Sequence, residues 1–173
     1  MAVHDEKDRV LILELKRKEL AYDIQNLGYI IRDSMKRESP EEGRNISDIM
    51  EDGNADRIQR ILDLAYAEVM RVLSPYVDHR VEADAYGNDI LNEPTSYYVF
   101  VTLKHTMPGT TENLLRVYVH EFMVAFTMAD WLAVVAPEQA AVWAGKAQGL
   151  EESIRGCMSA RKTITQIKPS PWR

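Results

Sequence analysis

The sequence predicts a mainly α fold of about four helices, the last two forming a long C-terminal hairpin, with one or two short β-strands. Three observations predict it. Residues 110–162 hold helical apolar spacing throughout and are broken only at Ala136-Pro137. Upstream, Ile58, Ile61, Leu62, Ala65, Val69 and Leu73 form a single apolar stripe with Arg57, Arg60, Asp63 and Glu68 outside it. Between the two lies Tyr97-Tyr98-Val99-Phe100-Val101-Thr102-Leu103, aromatic and β-branched and bounded by Pro94 and Met107-Pro108-Gly109, which is strand-like.

In chain order, the run Val10-Leu11-Ile12-Leu13-Glu14-Leu15 suits either a buried strand or the first turns of a helix, and periodicity does not decide between them. From Lys16 the pattern is helical, with Leu20, Ile24, Leu27 and Ile31 on one face, and it is expected to end near Lys36-Arg37. Ser39-Pro40-Glu41-Glu42-Gly43-Arg44 reads as a loop. Asn54 is the expected N-cap of the second helix, and Ser74-Pro75 its stop. The 97–103 strand needs a partner for its backbone groups: residues 10–15, residues 163–167 (Thr-Ile-Thr-Gln-Ile), or a strand from another copy. Thr110 or Thr111 caps the third helix, which is apolar almost all round and therefore expected to be covered on most sides. Pro137 opens the fourth, because its missing N–H is one the helix start leaves unbonded.

The fourth helix carries two rows. Trp143, Ala147, Leu150, Ile154, Cys157 and Arg161 form a heptad-like seam. Beside it run Ala141, Gly145, Gly149 and Ser153 at every fourth position. Glycine inside a water-exposed helix costs about 1 kcal/mol relative to alanine. The row is therefore expected to receive another helix at close range, from the same chain or from a neighbour, as an oligomer-packing ridge.

At 173 residues, 46% hydrophobic and 28% charged, the chain fits one folded domain, residues 1–162, followed by an extended arm, residues 163–173. No apolar run reaches the roughly 20 residues that span a bilayer, and the charged start Met1-Ala2-Val3-His4-Asp5-Glu6 is unlike a signal peptide, so no membrane partner is expected. The net charge of −6 is unevenly spread. Residues 61–154 carry five basic against thirteen acidic side chains, whereas residues 155–173 carry Arg155, Arg161, Lys162, Lys168 and Arg173 with no acid. A basic tail of this size reads first as solvated charge, and on an acidic body it also fits seating on a neighbouring copy or on nucleic acid.

The sequence carries no pattern from which catalytic or metal chemistry is expected. His120-Glu121 starts like a helical zinc-protease motif, but the second histidine position is Val124. A single cysteine, Cys157, allows neither an intrachain disulfide nor a cysteine-based zinc site, and its helical setting marks it as a core residue. Glu41-Glu42 and Glu151-Glu152 show no acid/base geometry and read as solvated charge. No phosphate-binding glycine loop, nucleophile elbow or EF-hand loop is present, so the reading is of a non-enzyme without cofactors.

Residues 14–26 (ELKRKELAYDIQN), 51–69 (EDGNADRIQRILDLAYAEV) and 114–132 (LLRVYVHEFMVAFTMADWL), in that order, resemble segments of small virion structural proteins of phages and prophages of gut Bacteroides-type bacteria. The arrangement also resembles the head–tail connector, or adaptor, proteins of tailed phages. This resemblance implies a non-enzymatic subunit, assembled in the bacterial cytoplasm into the virion, that forms a homo-oligomeric ring of twelve under the portal. It further implies contact with portal, tail or other neck proteins, and DNA passing through the channel without sequence-specific binding. The family's extended termini act as docking arms, a role that falls here on Lys168, Pro169, Pro171, Trp172 and Arg173, with the prolines stiffening the arm and Trp172 as anchor. A tail-completion or tail-terminator protein is the neighbouring alternative. In another class stands a small nucleic-acid-binding regulator using Lys16-Arg17-Lys18 and the basic tail, which the acidic charge balance disfavours.

Overall fold

The computed structural model describes residues 8–35, 49, 52–77 and 94–161. Strand β1 (Arg9–Lys16) runs directly into helix α1 (Arg17–Met35). Helix α2 (Asp52–Leu73) ends in a 3-10 turn, Ser74–Tyr76. Strand β2 (Ser96–Leu103) precedes the hairpin of α3 (Thr111–Val135) and α4 (Pro137–Ser159). The mainly α architecture with a small sheet is the one the sequence predicts.

β1 and β2 pair antiparallel, with Arg9 opposite Leu103, Ile12 opposite Phe100 and Lys16 opposite Ser96. The first of the three possible partners is therefore the one used. Strand pairing settles the ambiguity of the 10–15 run because the alternation is clear once one face is covered: Leu11, Leu13 and Leu15 are buried, while Val10, Ile12 and Glu14 are exposed. The buried leucines and Tyr97, Val99, Val101 and Leu103 of β2 form the sheet's inner face, which joins Leu20 and Ile24 of α1 and the full α2 stripe in one core.

α1 and α2 follow their predicted apolar faces, with different starts. α2 begins at Asp52, so Asn54 lies within its first turn and does not cap it. A residue inside the first turn has helical backbone geometry, whereas an N-cap flanks the helix. Thr110 occupies the N-cap of α3 in helical backbone geometry and makes no side-chain cap; Thr111 is the first helical residue and is buried. A helical ψ at the cap turns the hydroxyl away from the amides that a capping residue in extended geometry would reach.

α3 is the central helix. Leu115, Val119, Phe122, Met123, Ala125, Met128 and Leu132 are buried against α1, α2, the sheet and α4. Among the described residues it alone has the length and apolar composition to cross a membrane, but half of that window is covered by the rest of the fold. This is the burial pattern of a core helix. Arg57 of α2 ties the two helices together, its guanidinium 5.0 Å from the Trp131 ring centroid and 3.6 Å from the Asp130 carboxylate.

α4 lies along α3 through the predicted seam. Ala147, Ile154 and Cys157 are buried, Trp143 and Leu150 are half-buried against the core, and Ala140 and Met158 join them. The Cys157 thiol points at the Thr111 carbonyl, 3.6 Å away, so the end of α4 meets the start of α3. Burial raises its pKa, which suits the expected core role. Arg161 turns back over the helix end, its Nη1 donating to the carbonyls of Met158, Ser159 and Ala160.

Candidate interaction surfaces

Three surfaces and one buried polar network are candidates for function. The first surface is the ridge on α4. Ala141, Gly145 and Gly149 are exposed and Ser153 is half-exposed, its hydroxyl donating to the Gly149 carbonyl at 2.8 Å. A β-carbon built on Gly145 or Gly149 would meet nothing within 4 Å. The ridge faces away from α3, and among the described residues no helix of the same chain packs on it. Of the two partners the sequence leaves open, a helix of the same chain or one of a neighbour, the first is not used among the described residues: the seam at Ala147, Ile154 and Cys157 takes α3, and the small residues lie on the opposite side of a 3.6-residue turn.

The second surface is the outer face of the sheet. The register sets Val10 opposite Thr102, Ile12 opposite Phe100 and Glu14 opposite Tyr98 on that face. Val10 is 48% exposed, Ile12 50% and Tyr98 37%, a contiguous apolar strip on a two-stranded sheet. At its end the Glu14 carboxylate accepts hydrogen bonds from the hydroxyls of Ser96 (3.0 Å) and Tyr98 (3.2 Å).

The third is a groove of about 380 Å³ between β1, the start of α1 and α3. Leu13, Glu14 and Leu15 all line it. Successive strand side chains point to opposite faces, so three consecutive residues can border one groove only along the strand's edge. This edge is the one not paired to β2; the other edge of β2 is touched by the isolated bridge of Val77 with Val101. Across the groove stand Arg116, Val117, His120 and Glu121 of α3. His120 Nε2 lies 2.8 Å from Asp23 Oδ2 and joins the α1 and α3 walls, while Glu121 is paired with Lys146 at 2.8 Å and Arg116 with Glu112 at 3.2 Å. The partial zinc-protease match at His120-Glu121 thus resolves into two separate side-chain pairs, and no group of three or more metal-ligating side chains occurs among the described residues.

The polar network sits where β1 becomes α1. Arg17 Nε donates to Gln59 Oε1 at 2.6 Å, and Gln59 Nε2 donates to Asp63 Oδ1 (2.9 Å) and to the Tyr97 hydroxyl (3.2 Å). The Tyr97 hydroxyl in turn donates to Asp63 Oδ1 at 2.8 Å. Burial pushes the Asp63 carboxyl above its ordinary range, partly offset by the bonds from Tyr97 and Gln59, and burial with the neighbouring Asp63 charge pushes the Tyr97 phenol far up. The hydroxyl therefore keeps its proton, and the arrangement clamps β2, α2 and the β1–α1 junction together rather than preparing a base. Arg17, read from sequence as a possible nucleic-acid contact, is committed to this clamp.

Glu151 corrects a second expectation. It is not simply solvated: Arg71 of α2 (3.2 Å) and Arg155 (2.7 Å) both hold it, and the Arg155 bond foremost keeps its carboxyl below the usual range. The i+4 spacing of Arg155 is a signal the sequence carries and the solvated-charge expectation did not use, whereas Arg71 arrives from another helix and leaves none. Lys168, Pro169, Pro171, Trp172 and Arg173, the proposed docking arm, lie outside the described residues, as does Glu41-Glu42. No protein-family model matches the chain, and comparison with curated proteins and with solved structures gives no match.

Proposed function

We propose that this chain is a structural subunit of a tailed-phage virion, a head–tail connector that forms a homo-oligomeric ring between portal and tail. The observation that carries the ring is the openness of two different faces of one protomer: the small-residue ridge of α4 and the apolar outer face of the β1–β2 sheet. A closed ring needs two distinct complementary patches on each subunit, one for each neighbour. Residues that cost helix stability, as Gly145 and Gly149 do, are accounted for when a second backbone approaches them. The connector reading adds the resemblance of residues 14–26, 51–69 and 114–132, in order, to small virion proteins.

The side-chain groupings also favour an assembly role over catalysis. The buried Tyr97–Asp63–Gln59 cluster is internally satisfied, and the groove's His120 and Glu121 are spent on different partners. Native mass spectrometry and electron microscopy of the purified chain, alone and with the portal protein of the same phage, test the proposal. A ring that docks on the portal is expected; a stable monomer that joins neither portal nor tail sinks it.

A further inference from the structure

We propose that the outer face of α1 in one copy packs along the outer face of α4 in the next, with Tyr22 and Tyr29 over the glycine row and Lys18 and Arg32 against Glu138 and Glu152 at its two ends. The contact rests on the ring reading and names one of the surfaces that would close the ring.

The fold leaves this side of α1 uncovered. Leu20, Ile24 and Ile31 turn the helix's other side into the core. Lys18, Tyr22, Gln25, Tyr29 and Arg32 recur at spacings of four, three, four and three, which sets them in one row that contains no acid. Tyr22 is 68% exposed and Tyr29 41%, with Ile30 beside them at 57%. The Arg32 guanidinium lies 5.1 Å from the Tyr29 ring centroid, so the two side chains brace each other. Glu19 and Asp23 stand outside the row, held by Lys16 at 3.0 Å and His120 at 2.8 Å. Exposed tyrosines beside an arginine are the composition of a binding hot spot rather than of a solvated helix face.

Charge and length select the occupant. The exposed face of α4 that carries Ala141, Gly145 and Gly149 also carries Glu138 and Glu152, seven residues before and after Gly145. Among the described residues Lys18, Glu138 and Glu152 have no ion-pair partner, and Arg32 meets Asp33 at a long 3.7 Å. Lys18 and Arg32 are fourteen residues apart, as are Glu138 and Glu152, a spacing that returns to nearly the same side of a helix after about 21 Å of rise. Laid side by side in either direction, the two helices set a cation against a carboxylate at both ends. The tyrosines then fall over residues 141–149, where Gly145 and Gly149 leave room for an aromatic ring at close interaxial distance. Within the protomer α1 and α4 both pack on α3 and both faces stay exposed, so the contact falls to a second copy.

Analytical ultracentrifugation and native mass spectrometry of the full-length protein test the contact. The double variant Tyr22→Ala/Tyr29→Ala, at exposed positions and with its fold checked by circular dichroism, should weaken subunit association at least about tenfold. Lys18→Glu should weaken it as well, and adding either Glu138→Lys or Glu152→Lys should restore it, the one that does so giving the relative direction of the two helices. Unchanged association in the tyrosine variant, or a charge reversal that neither lysine rescues, overturns the contact while the intact oligomer leaves the ring standing. A wild-type chain that stays monomeric at every concentration overturns both. Binding of a thymidine oligonucleotide that the tyrosine variant loses, its oligomer persisting, would assign the row to single-stranded nucleic acid and overturn the contact as well.

Discussion

Replacing Tyr97 by phenylalanine isolates the clamp at the β1–α1 junction. The ring is fully buried and stacks at 5.1 Å on Tyr66, and phenylalanine keeps that packing, so no large cavity arises. What disappears is the hydroxyl, which donates to Asp63 at 2.8 Å and accepts from Gln59 at 3.2 Å. Gln59 keeps Asp63 as acceptor and loses little. Asp63 loses one of two donors to a half-buried carboxylate, and a hydrogen bond to a charged group contributes about 1.5–3 kcal/mol. That range is the expected destabilisation near pH 7, read from urea midpoints at constant slope by far-ultraviolet circular dichroism. The pH dependence sharpens the test. Asp63 already titrates above its ordinary range, and the Tyr97 bond is one of the influences pulling it back. The variant's folded state therefore takes up a proton at still higher pH than the wild type. Both proteins gain stability as pH falls from neutral through the folded Asp63 pKa toward its unfolded value, because the folded state binds the extra proton there, and the variant gains more. The cost of Tyr97→Phe should thus be greatest near neutral pH and shrink toward about pH 4. A cost below about 0.5 kcal/mol at neutral pH, or one that grows on acidification, would refute the argument that an ionised Asp63 depends on this hydroxyl.

Further outcomes follow from burial and pairing. Leu13→Ala should destabilise the fold by about 2–5 kcal/mol, whereas Ile12→Thr on the opposite face should cost under about 1 kcal/mol; equal losses in thermal melts would contradict the sheet's orientation. Gly145→Ala and Gly149→Ala, with open space around each added carbon, should each raise protomer stability by up to about 1 kcal/mol. Leucine at the same two positions should block ring formation, and normal rings on size-exclusion chromatography would remove the ridge from the interface. Glu151→Gln should lower stability by less than about 1 kcal/mol at neutral pH, its partners being largely solvated. Because its carboxyl titrates below the usual range, this difference should fade as pH drops through the folded Glu151 pKa. Cys157 should resist a thiol reagent at pH 8 in the native protein and react quickly in denaturant; fast labelling of the folded chain would show that the α3–α4 contact opens.

The helices were legible because each carries its own signal. The α2 stripe survives intact in the core, and Pro137 starts α4 where its ring geometry predicts. Helix periodicity is local, and so are proline's constraints. Strand pairing is not: residues 10–15 are apolar enough on both faces to hide their alternation, and only the distant β2 and α1 decide which leucines turn inward. The glycine row was visible as a pattern, but a pattern does not state which side of a helix its neighbour takes, so the uncovered ridge emerged only in three dimensions. The β1-edge groove left no sequence signal at all, since Leu13, Glu14 and Leu15 meet Val117 and Glu121 from a hundred residues away.

The pairing of Arg9 with Leu103 also orders events in time. Its ends are roughly a hundred residues apart, a closure that costs about 4 kcal/mol in chain entropy before any ladder bond offsets it. At about 5–20 residues per second of synthesis, β1 leaves the ribosome about 5–20 s before β2 exists. The α3 segment, which must cover the inner faces of α1 and α2, is made later still. The first half of the chain thus waits, with Leu11, Leu13 and Leu15 and the α2 stripe in water, until its second half is complete. A nascent chain stalled before Thr111 should bind chaperones, and the finished protein should collapse into order in one late, cooperative event.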